Sequence, residues 1–131
     1  MRLQIVREGE WRVLAVCTER GDCDLLDFLE GLDGKLTKDR DRLLRLLQLI
    51  ADEGIPHNTE VSHKLAGDVW ELIQGDLRLL YFRDRDRVIV CSHALVKRGR
   101  KVPRGDIDRA QARCNVYRTA REAGTLEVTV A

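Results

Sequence analysis

Three apolar runs, Val69 to Ile73, Leu77 to Phe82 and Val88 to Ala94, are separated only by Gln74-Gly75-Asp76 and by Arg83-Asp84-Arg85-Asp86-Arg87. A parallel crossover needs a dozen or more residues, so strands joined this tightly must turn back antiparallel. The resulting meander has apolar faces that the rest of the chain must cover. Trp11 to Cys17 is rich in strand formers and stops at the Thr18-Glu19-Arg20-Gly21-Asp22 turn, which predicts a strand that joins the meander. Residues 2 to 6 either add a further strand or trail.

Helices supply the cover. Asp22 can cap a short helix in which Leu25, Leu26, Phe28, Leu29 and Leu32 recur at helical spacing before Asp33-Gly34 ends it. A second helix follows, with Thr37 as its N-cap. Leu43, Leu44, Leu46, Leu47, Leu49 and Ile50 form its broad apolar face, and Gly54 and Pro56 stop it. Pro103 suits the first turn of a third helix, which carries Ile107, Ala110, Cys114 and Tyr117 and ends at Gly124. Residues 125–131 either pair as an edge strand or fray. No repeat or linker divides the 131 residues. The predicted fold is therefore one α+β domain: an antiparallel sheet of about four strands, an N-terminal helical hairpin and a C-terminal helix.

Charge is distributed unevenly along the chain. Residues 1–77 hold 10 Lys/Arg against 16 Asp/Glu, minus six, whereas residues 78–113 hold 11 against 4, plus seven; the remainder balances, giving the net +1. An acidic side and a basic side should result, and a basic side is the footprint of a polyanion partner, nucleic acid first. No apolar run approaches the length of a membrane span, and Met1 to Glu8 carries no export signal, so a cytoplasmic protein is expected. Cys17, Cys23, Cys91 and Cys114 never form a Cys-x-x-Cys pair, and His57 and His63 lack ligand spacing, which leaves no basis for a metal site or another cofactor.

Between Lys64 and Ala110 several short motifs follow in order: Lys64-Leu65-Ala66-Gly67, Trp70-Glu71-Leu72, Arg78 with Tyr81-Phe82, the basic run Lys97-Arg98-Gly99-Arg100-Lys101 closed by Pro103, and Ile107 to Ala110. Together with the opening strand from Trp11 and the turn into Phe28-Leu29, this series resembles the HigB-like, phage-derived branch of the RelE/ParE toxins. The resemblance implies a toxin of a type II toxin–antitoxin system. Its activity would be metal-independent cleavage of mRNA, either on the ribosome or free of it, and its partner a helix-turn-helix antitoxin. Two rivals share the fold: a ParE-like poison of DNA gyrase that does no chemistry, and a catalytically weak phage-derived binding protein.

Metal-free RNA cleavage drives a 2′-hydroxyl against the adjacent phosphate, so it requires a base, a donor for the leaving oxygen and cations for the phosphorane charge. Arg78 matches the family's shared arginine and should share a strand face with Leu80 and Phe82. Lys97 and Arg98 match its paired basic positions and Lys101 its later lysine, with Arg100 beside them and Arg104 next along the helix. Glu71 either accepts the proton or orients Arg78, and His93 is the second acid/base candidate. Lys64, Arg83, Arg85, Arg100 and Arg104 are expected RNA contacts, and Trp70 and Tyr81 are either base platforms or core. Ile73 stands where the family continues with arginine, and Arg83 or Arg85 is the expected spatial substitute.

Overall fold

Short turns and apolar alternation produce the expected central hairpins, but the sheet built around them is larger and mixed. The computed structural model describes residues 1–130. They form β1 (Arg2–Glu8), β2 (Arg12–Cys17), α1 (Asp24–Glu30), α2 (Leu36–Glu53), β3 (Ser62–Ala66), β4 (Val69–Gln74), β5 (Leu77–Asp84), β6 (Val88–Val96), α3 (Arg104–Ala123) and β7 (Glu127–Val130). One seven-stranded sheet runs in the order β3-β4-β5-β6-β2-β1-β7. The contacts β3-β4, β4-β5, β5-β6 and β1-β2 are antiparallel, whereas β2-β6 and β1-β7 are parallel.

The expected four-stranded antiparallel sheet is thus incorrect, for identifiable reasons. Between Cys17 and Val88 the chain passes through two helices and three strands, so no tight turn forces β2 to run against β6, and the two pair in parallel. β3 reads Ser-His-Lys-Leu-Ala, with too little apolar alternation to announce a strand; it forms as the hairpin partner of β4 across Gly67-Asp68. β7 is exposed along its whole length, so no buried face marked it, and Ala131 lies outside the described residues. Asp22 and Thr37 do not cap their helices. Cys23 and Lys35 hold the N-cap positions, and the Thr37 hydroxyl donates to the Gly34 carbonyl at 2.8 Å.

Alternation along the strands divides the core between the two faces. On one, Leu25 and Leu29 of α1 and Leu43, Leu47 and Ile50 of α2 pack on Val13, Leu72, Leu79 and Tyr81. On the other, Cys114 and Tyr117 of α3 meet Leu3, Leu14, Phe82 and Val90, and Ala110 meets Val69, Leu80 and Val102. Leu43, Leu47 and Leu79 are fully buried, and truncating any of them to Ala should cost about 2–5 kcal/mol. Gly75, at φ +58°, turns β4 into β5 against α2, where the Asp39 carboxylate accepts the Asp76 N–H at 3.1 Å. Among the described residues no helix is long and apolar enough to cross a membrane.

Candidate functional site

On β4 the alternation that buries Leu72 against α2 turns Val69, Glu71 and Ile73 towards α3. Cross-strand pairing sets His63 opposite Glu71 and Arg78 opposite Ile73, so all four share that face. The connection from β6 to α3 faces them. Its start is fixed where the Lys97 N–H donates to the Asp76 carbonyl at 2.8 Å, and its end where Val102 is buried with Val69 and Leu80. Between the β3–β4 hairpin and this connection lies a groove of about 910 Å³. Glu71, His63 and Ile73 line its sheet side, and Lys97, Arg100, Lys101 and Arg104 the opposite wall.

The groove cations have almost no counter-charge. Among the described residues Lys97, Arg98, Arg100 and Lys101 make no ion pair, and Arg104 makes one exposed pair with Asp108 at 3.0 Å, of a kind that contributes little. Arginines elsewhere on α3 are neutralised: Arg109 and Arg113 both reach Asp24, Arg118 reaches Asp68, and Arg121 reaches Asp84. The Arg113 hydrogen bond, against the opposing effect of partial burial, holds the Asp24 carboxyl below its ordinary range. The N-terminus of the 20-residue α3, entered through Pro103, opens at the groove and adds the positive end of its dipole.

At the sheet side, Glu71 is only 3% exposed. Its Oε1 lies 2.8 Å from His63 Nε2, and its Oε2 lies 4.0 Å from Arg78 Nε. Neither Glu71 Oε2 nor Arg78 Nε has a hydrogen-bond partner among the described residues. Arg78 shares its face with Leu80 and Phe82 and stands behind the groove instead of on its wall. Its Nη1 donates to the Gly75 and Leu77 carbonyls at 2.7 and 2.9 Å, which ties the β4–β5 turn to the carboxylate.

Several expected site residues lie elsewhere. His93 is buried, with Nε2 2.9 Å from Asp106 Oδ1 and Nδ1 2.8 Å from Ser92 Oγ, so both ring nitrogens are engaged, and the Asp106 contact fastens β6 to α3. Arg98 is exposed beside the groove without lining it. Lys64 pairs with Trp70, which packs on the opposite face. Arg83 lies 3.8 Å over the Trp70 ring, and Arg85 is at the β5–β6 turn. Five residues along one strand span roughly 17 Å, so Arg83 and Arg85 cannot replace the cation missing at Ile73. Tyr81 is fully buried, with its hydroxyl 2.7 Å from Ser62 Oγ, and Trp70 stacks on it at 6.4 Å; both belong to the side away from the groove. Among the described residues no three His, Cys, Asp or Glu side chains are grouped as a metal site would require.

His63 is the groove residue that sequence reasoning missed. The signal was the Gly67-Asp68 turn: reading Ser62 to Ala66 as the partner of β4 across it would have set His63 opposite Glu71.

Fold and groove together define an α+β protein with unneutralised cations gathered over a buried carboxylate. Residues 27–115 match the family model described as phage-derived protein Gp49-like (DUF891). The match spans more than half of the chain, which belongs to this family, one associated with the toxins of toxin–antitoxin systems. It contains every groove residue, from His63 to Ile107. Membership suggests an antitoxin as partner. No curated protein matches the chain.

Proposed function

We propose that this chain is the toxin of a type II toxin–antitoxin system, of the HigB-like branch of the RelE/ParE toxins, and that it cleaves messenger RNA without a metal in the cytoplasm, on the ribosome. The observation that carries this reading is the groove in which Lys97, Arg100, Lys101 and Arg104 face the buried Glu71. A phosphodiester seated there meets cations with no stronger claim on them, and the dianionic phosphorane gains more from them than the ground state does. Arginine grips phosphate oxygens in pairs, while lysine acts as a point charge or proton donor, and the wall offers both. Arg78, turned to backbone carbonyls, holds the turn and the carboxylate in place and does not touch substrate. The antitoxin, a helix-turn-helix protein, would cover the basic wall with an acidic segment.

Purified protein added to translating ribosomes should cut the messenger at discrete places, leaving 2′,3′-cyclic phosphate and 5′-hydroxyl ends. A Lys97→Ala/Lys101→Ala variant should lose this cleavage. An intact messenger would reject the enzymatic reading, and inhibition of DNA supercoiling by gyrase would favour the ParE-like rival.

A further inference from the structure

Of the four cysteines, two are fully buried and lie apart: Cys91 packs on the α1–α2 face of the sheet and Cys114 on the α3 face. Cys17 and Cys23 are placed differently. They form an isolated antiparallel bridge between the end of β2 and the start of α1, and the Thr18 N–H closes the turn between them by donating to the Asp22 carbonyl at 2.7 Å. A hydrogen bond one residue inside the bridge makes Cys17 and Cys23 a narrow, non-hydrogen-bonded pair. In such pairs the Cα atoms stand about 4.5 Å apart and the side chains share one face. Disulfides span Cα separations of about 4.4–6.8 Å, so the backbone already holds the spacing that a bond requires. The Cys17 thiol lies within hydrogen-bonding reach of the Cys23 sulfur, and both cysteines are free.

Access differs between the two. Cys23 is 4% exposed and belongs to the core, whereas Cys17 is partly exposed at its margin. An oxidant therefore meets Cys17 first, and Cys23 is the thiol that follows. Burial, and after it the neighbouring Cys23, push the Cys17 pKa up to about 11, which makes the reduced form long-lived at neutral pH and its oxidation faster in alkali.

We propose that Cys17 and Cys23 are a redox modification site that closes an intramolecular disulfide when a peroxide reaches Cys17, whatever the groove binds. The Cys17 thiolate attacks one peroxide oxygen, the O–O bond breaks, and the departing hydroxide takes up the proton that Cys17 lost. The Cys23 sulfur, giving up its own proton, then attacks the sulfur of the Cys17 sulfenic acid. The S–S bond forms, the S–O bond breaks, and hydroxide leaves with that proton as water. Two thiols are oxidised and one peroxide is reduced to two waters. Asp24, next to Cys23, is the carboxylate that receives Arg109 and Arg113 of α3, so the link fastens the point at which β2, α1 and α3 meet.

The test treats the reduced full chain with hydrogen peroxide, blocks the remaining thiols with iodoacetamide in denaturant and maps the tryptic peptides by mass spectrometry. Trypsin cuts after Arg12, Arg20 and Lys35, so the two cysteines fall on separate peptides, residues 13–20 and 21–35. The expected product is these two peptides joined, lighter by two hydrogens than their sum, with Cys91 and Cys114 alkylated. Its rate should rise about tenfold per pH unit from neutral pH to about pH 9, following the Cys17 thiolate. In Cys23→Ser the same treatment should stop at a Cys17 sulfenic acid that dimedone traps. Four alkylated cysteines after peroxide treatment, a bond to Cys91, or disulfides formed only between molecules would overturn the proposal. Should Cys23→Ser fail to fold, the wild-type peptide map decides alone.

Discussion

His93 illustrates how burial decides what a titratable residue does. Desolvation pushes its pKa below the ordinary histidine range, and the Asp106 hydrogen bond pulls it only part of the way back. The unfolded imidazole takes up a proton near pH 6.5 while the folded one does so only at lower pH, so between those values the unfolded state holds more protons and stability falls as pH falls. Urea midpoints of the wild type should therefore drop between pH 7.5 and the folded value, and those of His93→Gln should drop less; parallel profiles would show that His93 contributes nothing. Asp24 and Asp68, held low chiefly by Arg113 and Arg118, lose their contribution only in stronger acid, so the two effects separate. Sequence reading reached the charged residue types of the site but not their roles. The Lys97 to Arg104 run was visible as unneutralised charge, whereas His93 and Arg78 drew attention as isolated polar residues in apolar strands, and their contacts show them fastening the fold. His63 is weighed in sequence only as a metal ligand, because what makes it notable is a partner across a hairpin.

Among the elements, β3 is the one on which the groove depends and the one least visible in sequence. Apolar runs announced β4, β5 and β6, leucine spacing announced α2, and Pro103 with Ile107, Ala110, Cys114 and Tyr117 announced α3, while Ser62 to Ala66 carries a single leucine, and the parallel contacts of β2 and β1 have no local signature at all. What holds the β3–β4 hairpin is its attachment to α3. Gln111 Oε1 accepts the Asp68 N–H at 3.0 Å and its Nε2 donates to Asp68 Oδ2 at 3.0 Å, while Arg118 reaches the same carboxylate at 2.9 Å. Gly67, at φ +55°, leaves the room that Gln111 occupies, for a Cβ there would lie 2.6 Å from its oxygen. Gln111→Ala should therefore lower stability by about 1–2 kcal/mol. It should also speed amide exchange in β3 without changing β5 and β6, as measured by hydrogen exchange. Equal acceleration throughout the sheet would mean that the hairpin has no separate anchor.

Across the whole molecule a net charge of +1 provides no general attraction for a polyanion, so binding must come from where charge is left unpaired. Ion pairs consume the arginines along most of α3, whereas of the groove cations at its N-terminus only Arg104 has a partner among the described residues, the exposed Asp108. Each phosphate that meets such a cation releases condensed counterions, and for single strands the logarithm of affinity falls with the logarithm of salt by about 0.7 per contact. Lys97, Arg100, Lys101 and Arg104 should together give a slope of roughly −3 for a short RNA. Removing Lys97 and Lys101 should flatten it by about 1.4, whereas removing the paired Arg109 and Arg113 should leave it unchanged. Anisotropy titrations across a salt series measure all three slopes. A wild-type slope near zero, or one equally flattened by the paired arginines, would mean that the molecule's positive charge acts diffusely and that the groove is not where RNA sits.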